Sequence, residues 1–271
     1  MLRDVTLGQF FPGESLLHKT DARFKILILL VYIVGVIAAN SAFSFLLIGT
    51  VTAVLVVLSR IPVKIVLKNL KAIIFILIFT AVLNIFFYSG ETLLVDWYFI
   101  QIYKEGLIYA GFMMIRLICL VCGSFVILTY TTSPLDLTDA IERLLSPLKK
   151  LKVPVHEFAM MMTIALRFIP TLIEETDKIM SAQKARGADM ESGGLIKRAK
   201  ALIPILIPLF VSSFRRADEL AEAMECRCYH GGEGRTRMKQ MESCFRDYVF
   251  FTVMLGVCIG VFFINGYGVT V

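Results

Sequence analysis

Long apolar runs constrain this chain more than any other feature. Residues 26–58 are almost entirely apolar, and further runs cover 72–88, 107–130 and 248–264. Crossing a bilayer as a helix takes roughly 17–25 such residues. The first run is too long for one crossing, and the break AANSAFS at 38–44 divides it into a tight hairpin of two helices. Five spans are therefore expected. Composition agrees: 57% of the residues are hydrophobic and only 18% are charged, whereas a soluble domain is roughly 45–50% apolar even with glycine counted.

The loops carry an orientation signal. Arg60, Lys64, Lys68 and Lys71 follow the second run with no acid among them. Glu91, Asp96 and Glu105 follow the third, with Lys104 as the one base. Basic loops stay in the cytosol, so the first loop is expected inside and the second outside, where Trp97, Tyr98 and Tyr103 suit an interfacial belt. The N-terminus and residues 131–246 then lie in the cytosol, and the tail NGYGVTV lies outside. The opening MLRDVTLGQFFPGESLLHKTDARFK has no apolar core followed by a small-residue cleavage site, so it does not read as a signal peptide.

Four parts follow from this division: 1–25, a cytosolic N-terminal segment; 26–130, four membrane helices; 131–246, a cytosolic region; and 247–271, the last span with a short external tail. The expected fold is an all-α integral membrane protein with about five transmembrane helices and a cytosolic or interfacial set of amphipathic helices. Within 131–246, Phe158, Met161, Met162, Ala165, Phe168, Ile169, Leu172 and Ile173 recur at the spacing of one helix face. Pro170 is expected to kink or restart that helix. ALIPILIPLFVSSF at 201–214 is too short to span and reads as an interfacial or buried helix, with a re-entrant segment as the alternative.

Two stretches of this region match each other. SAQKARG (181–187) and EAMECRC (222–228) align Ala182 with Ala223, Ala185 with Cys226 and Arg186 with Arg227. Small residues three apart share a helix face and clear space for an approaching surface. A glycine after each helix, Gly187 in one case and Gly231 with Gly232 in the other, can cap it in the left-handed conformation. An arginine in a last turn meets the negative end of the helix dipole, and its planar fork suits a carboxylate or carbonyl on a partner. Each stretch alone could be a solvated helix end; the pair on consecutive helices points to a doubled docking site.

These residues resemble the transmembrane T component of energy-coupling factor (ECF) transporters, ATP-driven importers of vitamins and transition-metal ions. KARGAD with Arg186 matches the first of the family's two Ala-Arg-Gly motifs. RFIPTLIEE, the AME-x-R around Arg227, GGEGRT after it, and the opening GQFFPGESLLHKTDARFK with Asp21, Arg23 and Lys25 are also similar to family sequence. The resemblance implies a bacterial plasma-membrane subunit whose coupling helices dock on two ABC-type ATPases, a heterodimer, with Ala185, Arg186, Gly187, Cys226, Arg227 and Cys228 as the docking residues. It also implies a separate substrate-binding S component as a membrane partner. ATP and Mg²⁺ would sit on the ATPases, with no cofactor on this chain and no nucleic-acid partner. GGEGRT resembles T components that serve several S components, which implies a shared vitamin-uptake module.

The sequence departs from the family pattern at two places. Cys228 stands where glycine is usual, which removes freedom to turn left-handed directly after the arginine; Gly231 and Gly232 are expected to supply that turn later. Ala22 stands where proline is usual, and Asp21 can still cap the helix.

Other constellations carry less. Cys226, Cys228 and His230 lack a fourth ligand and the paired spacing of a zinc site. Cys119-x-x-Cys122 lies within a span, outside the context of a redox motif, and reads as two small packing residues. Arg116 lies in an apolar run, so it should face protein or water; Asn84 is its candidate partner, with an S-component contact as the alternative. There is no phosphate-binding G-x-x-x-x-G-K-[ST], and His156-Glu157 lacks the second histidine of a metalloprotease helix. No catalytic residue is assigned. A membrane enzyme on lipid-like substrates would need clustered acids, for which Glu174, Glu175 and Asp177 are the nearest group; a membrane scaffold is the remaining alternative.

Overall fold

The computed structural model describes residues 10–87, 92–97, 100–188, 194–232 and 243–266. Parts of the opening segment, the outer aromatic group (Tyr98), Glu91, Asp189, most of GGEGRT and the end of the tail lie outside them. The protein is an all-α membrane protein. Among the described residues its one extended pairing is an antiparallel hairpin, β1 (Leu93–Trp97) with β2 (Ile100–Tyr103), bulged between Leu93 and Val95.

The chain divides into two compact units. One comprises residues 9–133 and 241–271 and holds α1 (Ala22–Ala38), α2 (Ala42–Ser59), α3 (Val63–Phe87), α4 (Lys104–Ser124) and α8 (Phe245–Asn265). Asp21 caps α1 as expected, its carboxylate accepting from the Arg23 amide at 3.0 Å. Arg60 ends α2 in the left-handed conformation and Pro62 prevents its continuation. α4 runs on into a π-helical turn at Phe125–Thr129, closed by the Tyr130 amide donating to the Phe125 carbonyl at 2.9 Å.

α1 packs against α8 and α4, and α2 and α3 pack against α4. The core gathers Ile28, Tyr32, Val36, Ile48, Val126 and Val261. Tyr32 is its polar joint. Its hydroxyl donates to the Cys119 carbonyl at 2.7 Å and hydrogen-bonds Thr52 Oγ1 at 2.8 Å. Gly123 lies under the ring with no room for a Cβ. Small residues and interhelical hydrogen bonds take over the packing role that burial from water plays in soluble cores. Cys119 and Cys122 are buried free thiols in that packing, as the sequence suggested. Lys25 is also buried, its ammonium donating to the Thr131 carbonyl at 2.8 Å and to Thr132 Oγ1 at 3.2 Å.

Arg116 differs from expectation. Asn84 donates within its own helix, to the Thr80 carbonyl at 2.8 Å. Arg116 instead donates to the Ala39 carbonyl at 2.5 Å and to Asn40 Oδ1 at 3.2 Å, with its guanidinium 5.3 Å from the Phe45 ring centroid. The reason is the tight turn between α1 and α2. A helix end leaves carbonyls without intrahelical partners, which is expensive in an apolar medium. Arg116 satisfies one of them, and Asn265 satisfies the next by donating to the Ala38 carbonyl at 2.5 Å while accepting from the Asn40 amide at 3.1 Å.

By length and composition, five described helices could cross a membrane: α2, α3, Lys104–Thr129, α8 and Val155–Ala185. The first four have mean hydropathy of 2.2–2.5 and the last only 1.2. The set differs from the sequence expectation at both ends. α1 has 17 residues, the lower limit of the roughly 17–25 that a crossing takes, and stands just outside this set. Val155–Ala185 qualifies because it is one continuous helix, which Pro170 was expected to kink or restart.

The second unit comprises residues 1–8 and 134–240. It holds α5 (Pro134–Leu144), a 3₁₀ turn at Ser146–Leu151, α6 (Val155–Ala185) and α7 (Leu195–Glu225). α6 packs against both α5 and α7. Residues 201–214 are not a short helix of their own; they form the middle of the 31-residue α7, which runs through Pro204 and Pro208.

Candidate docking tips of α6 and α7

Proline within a helix lacks an amide hydrogen, so the carbonyl four residues earlier loses its partner. Pro204 and Pro208 are four apart, so the Pro204 carbonyl is left open on α7. Gln183 of α6 reaches it with Nε2 at 3.5 Å, a long contact. A stronger tie lies about two turns back along α6. The Glu175 carboxylate of α6 accepts from Arg216 Nη2 of α7 at 2.8 Å and from the Ser212 hydroxyl. Glu175 is thus engaged between two helices. These ties hold the C-terminal half of α6 along α7.

α6 stops at Ala185, with Arg186 at the C-cap position. Gly187 follows at φ +85°. The Gly187 amide donates to the Lys184 carbonyl and the Ala188 amide to the Gln183 carbonyl, each at 3.0 Å. This pair of bonds is the Schellman arrangement, in which a left-handed residue lets two late amides return to orphan carbonyls.

α7 ends with the same arrangement. The Cys228 amide donates to the Glu225 carbonyl at 2.8 Å and the Tyr229 amide to the Met224 carbonyl at 3.1 Å. Cys228 takes φ +56°. The left-handed turn is therefore not postponed to Gly231 and Gly232, as the sequence suggested. Cys228 makes it directly, at the position Gly187 holds in the first tip. Gly231 is left-handed as well, at φ +97°, but serves the chain after the cap. Gly232 lies so close to the His156 ring that a Cβ there would collide with it. His156 is held in turn by Glu142 Oε1, 2.9 Å from its Nδ1, so the chain leaving the second tip is seated on the start of α6.

The two tips are thus the same local structure built twice. Arg186 and Arg227 stand one residue before the left-handed position in each, and Ala185 and Cys226 stand one residue before the arginine. All six residues from Ala185 to Gly187 and from Cys226 to Cys228 are exposed. Among the described residues neither arginine has an ion pair or a side-chain hydrogen bond. A guanidinium beyond a helix C-terminus points five donors at whatever approaches. The cysteines and His230 of the second tip do not come together: among the described residues no group of three or more His, Cys, Asp or Glu is arranged for a metal ion. Sequence reasoning missed the strut from Glu175 to Ser212 and Arg216. It also missed Gln183, although the Pro-x-x-x-Pro spacing announces an orphan carbonyl.

The apolar face expected on α6 is present but only partly covered. Phe158, Met161 and Met162 are exposed, while Phe168, Leu172 and Ile173 are half-buried. α7 carries a second exposed apolar row, with Ile203, Ile207, Phe210 and Phe214 at helical spacing.

Comparison with known proteins gives the family. Residues 13–238 match the CbiQ family, described as a cobalt transport protein. The energy-coupling factor transporter transmembrane protein EcfT of Clostridium kluyveri is 54% identical over 263 residues, covering 96% of this chain and 97% of that one. The protein of the same name from Ruminiclostridium cellulolyticum is 58% identical over 241 residues, covering 89% and 90%. That from Bacillus subtilis is 43% identical over 265 residues, covering 98% and 100%. With most of its length matched in this way, the chain belongs to the CbiQ family and is a transmembrane component of an energy-coupling factor transporter.

Proposed function

We propose that this subunit couples ATP hydrolysis to import by seating its two tips in grooves of two cytosolic ABC-type ATPases, one tip to each. Arg186 and Arg227 are the anchors. Ala185 and Cys226 keep the approach clear, and Gly187 and Cys228 turn the chain away beneath. The observation that carries this reading is the repetition of one cap geometry with an exposed arginine at the same position in both. Closure of the ATPases then moves α6 and α7 together, because Glu175 ties them through Arg216 and Ser212.

A separate S component binds the substrate, a vitamin or another micronutrient, and receives the movement. This chain contributes no catalytic group of its own; ATP and Mg²⁺ belong to the ATPases. Residues 131–246 act as the cytosolic coupling part. The bases Arg60, Lys64, Lys68 and Lys71 put the second-to-third loop in the cytosol of a bacterial cell, with the N-terminus inside and the C-terminus outside. Co-purification tests the reading. Losing a buried charged hydrogen-bond anchor costs roughly 2–5 kcal/mol, so the protein with Arg186→Ala and Arg227→Ala should come away from the membrane without its ATPases. Retention of both ATPases by that variant would sink it.

A further inference from the structure

The membrane unit carries a feature that the coupling role does not use. A groove of about 290 Å³ lies between the turn at residues 15–20 and the start of α8, lined by Leu16, Lys19, Phe245, Arg246, Val249 and Phe250 among others. Its walls are apolar and its mouth has two cations, both exposed. The one acid in its lining, Asp247, is buried and turned to its own helix cap, accepting from the Cys244 amide at 2.9 Å. Thr20 is also satisfied, donating to the Leu16 carbonyl at 3.0 Å. The mouth is thus positive, with the first turn of α8 adding the positive end of its dipole.

Phe250 also lines a second hollow. This apolar-walled trough of about 220 Å³ lies between α8 and α2, along Val253, Met254 and Val257 against Val51, Val54 and Leu58. Arg246, Phe250, Val253 and Val257 lie on one face of α8. The track they form rises roughly 16 Å over eleven residues, close to half of the roughly 30 Å hydrocarbon core. Thr50 at its edge asks for no polar partner, since its hydroxyl donates to the Leu46 and Leu47 carbonyls. Tyr248, exposed and packed edge-on against Phe24, sits at the level of the mouth where an interfacial aromatic belongs.

We propose that this track holds one anionic phospholipid, its phosphate between Lys19 and Arg246 and one acyl chain along α8 and α2 within a single leaflet. Positive charge at the mouth selects the headgroup, and the one-leaflet length of the apolar trough selects a lipid over a free anion. The assignment rests only on α8 crossing the membrane and is independent of the ATPase docking; variants at Arg186 and Arg227 should keep the lipid.

Native mass spectrometry of the full chain in detergent tests it, with phosphatidylglycerol and phosphatidylcholine of identical acyl chains added at equal concentration. The wild type should retain one phosphatidylglycerol with a preference on the order of tenfold. Lys19→Gln with Arg246→Gln should bring the two lipids to parity, while Val253→Trp, which fills the trough and keeps both charges, should reduce retention of both. Lys64→Gln with Lys68→Gln, which removes the same charge from another exposed site, should leave the preference intact. Four results would overturn the proposal: no preference in the wild type, a preference that survives loss of Lys19 and Arg246, an equal loss in the Lys64 and Lys68 variant, or displacement of the lipid by inorganic phosphate.

Discussion

Replacing Cys228 by glycine should tighten the second tip. Cys228 holds φ +56° with a side chain, whereas Gly187 holds φ +85° without one. A left-handed conformation costs an L-residue roughly 1–2 kcal/mol. Glycine removes that strain but loses more conformational freedom on ordering, roughly 0.5–1 kcal/mol. The net gain is therefore about 0.5–1 kcal/mol, or roughly a two- to fivefold shift in the closed-to-open ratio of the cap. The bonds that report it are the two that define the cap, from the Cys228 amide to Glu225 and from the Tyr229 amide to Met224. Hydrogen exchange of a peptide spanning 224–230 should slow by that factor in Cys228→Gly, with the peptide spanning 183–189 unchanged. Before substitution, the second tip should open more readily than the first. Preorganisation lowers the cost of binding, so the variant should also hold its ATPase more tightly by the same factor. Unchanged or faster exchange at 224–230 would refute the strain argument.

Two further outcomes follow from other parts of the structure. Arg116→Met should lower the melting temperature of the purified protein, since it leaves the Ala39 carbonyl unpaired at a cost of roughly 1–3 kcal/mol; Asn84→Ala, whose bond is within its own helix, should change it far less. Among the six cysteines, a water-soluble maleimide should modify exposed Cys226, Cys228 and Cys244 and spare buried Cys119 and Cys122, with Cys244 fastest near neutral pH. The Arg246 backbone amide and then its side chain hold the Cys244 thiol below the usual thiol range, which raises its thiolate fraction; labelling followed by peptide mass spectrometry reads the order.

Four of the candidate spans, α2, α3, α4 with its π-helical turn, and α8, were legible in the sequence because their signal is length and hydropathy, which need no tertiary context. Asp21 as a cap was legible for the same reason: its partner is two residues away. What escaped depended on contacts distant in the chain. Arg116 could be recognised as needing a partner, but its partner is a turn some 76 residues earlier, exposed by a helix break whose orphan carbonyls the hydropathy pattern does not register. Pro170 was expected to kink or restart its helix, and residues 201–214 were read as a segment too short to span, because local rules treat each stretch alone. α6 and α7 run through them because each supports the other, with Gln183 and the Glu175 strut supplying bonds that local rules omit. At the second tip the repeat itself was visible, but glycine preference pointed past Cys228 to Gly231. The hydrogen bonds returned to Glu225 and Met224 outweigh the strain at Cys228, so the cap closes where the arginine requires it.

The central claim is that each arginine tip anchors its own ATPase. Binding of each purified ATPase subunit to the full chain in nanodiscs, measured separately for Arg186→Ala, Arg227→Ala and the double variant, tests it most directly. Each single substitution should weaken one subunit by about 30-fold or more and leave the other unchanged, and the double variant should lose both. Wild-type affinity for both subunits in the double variant would contradict it.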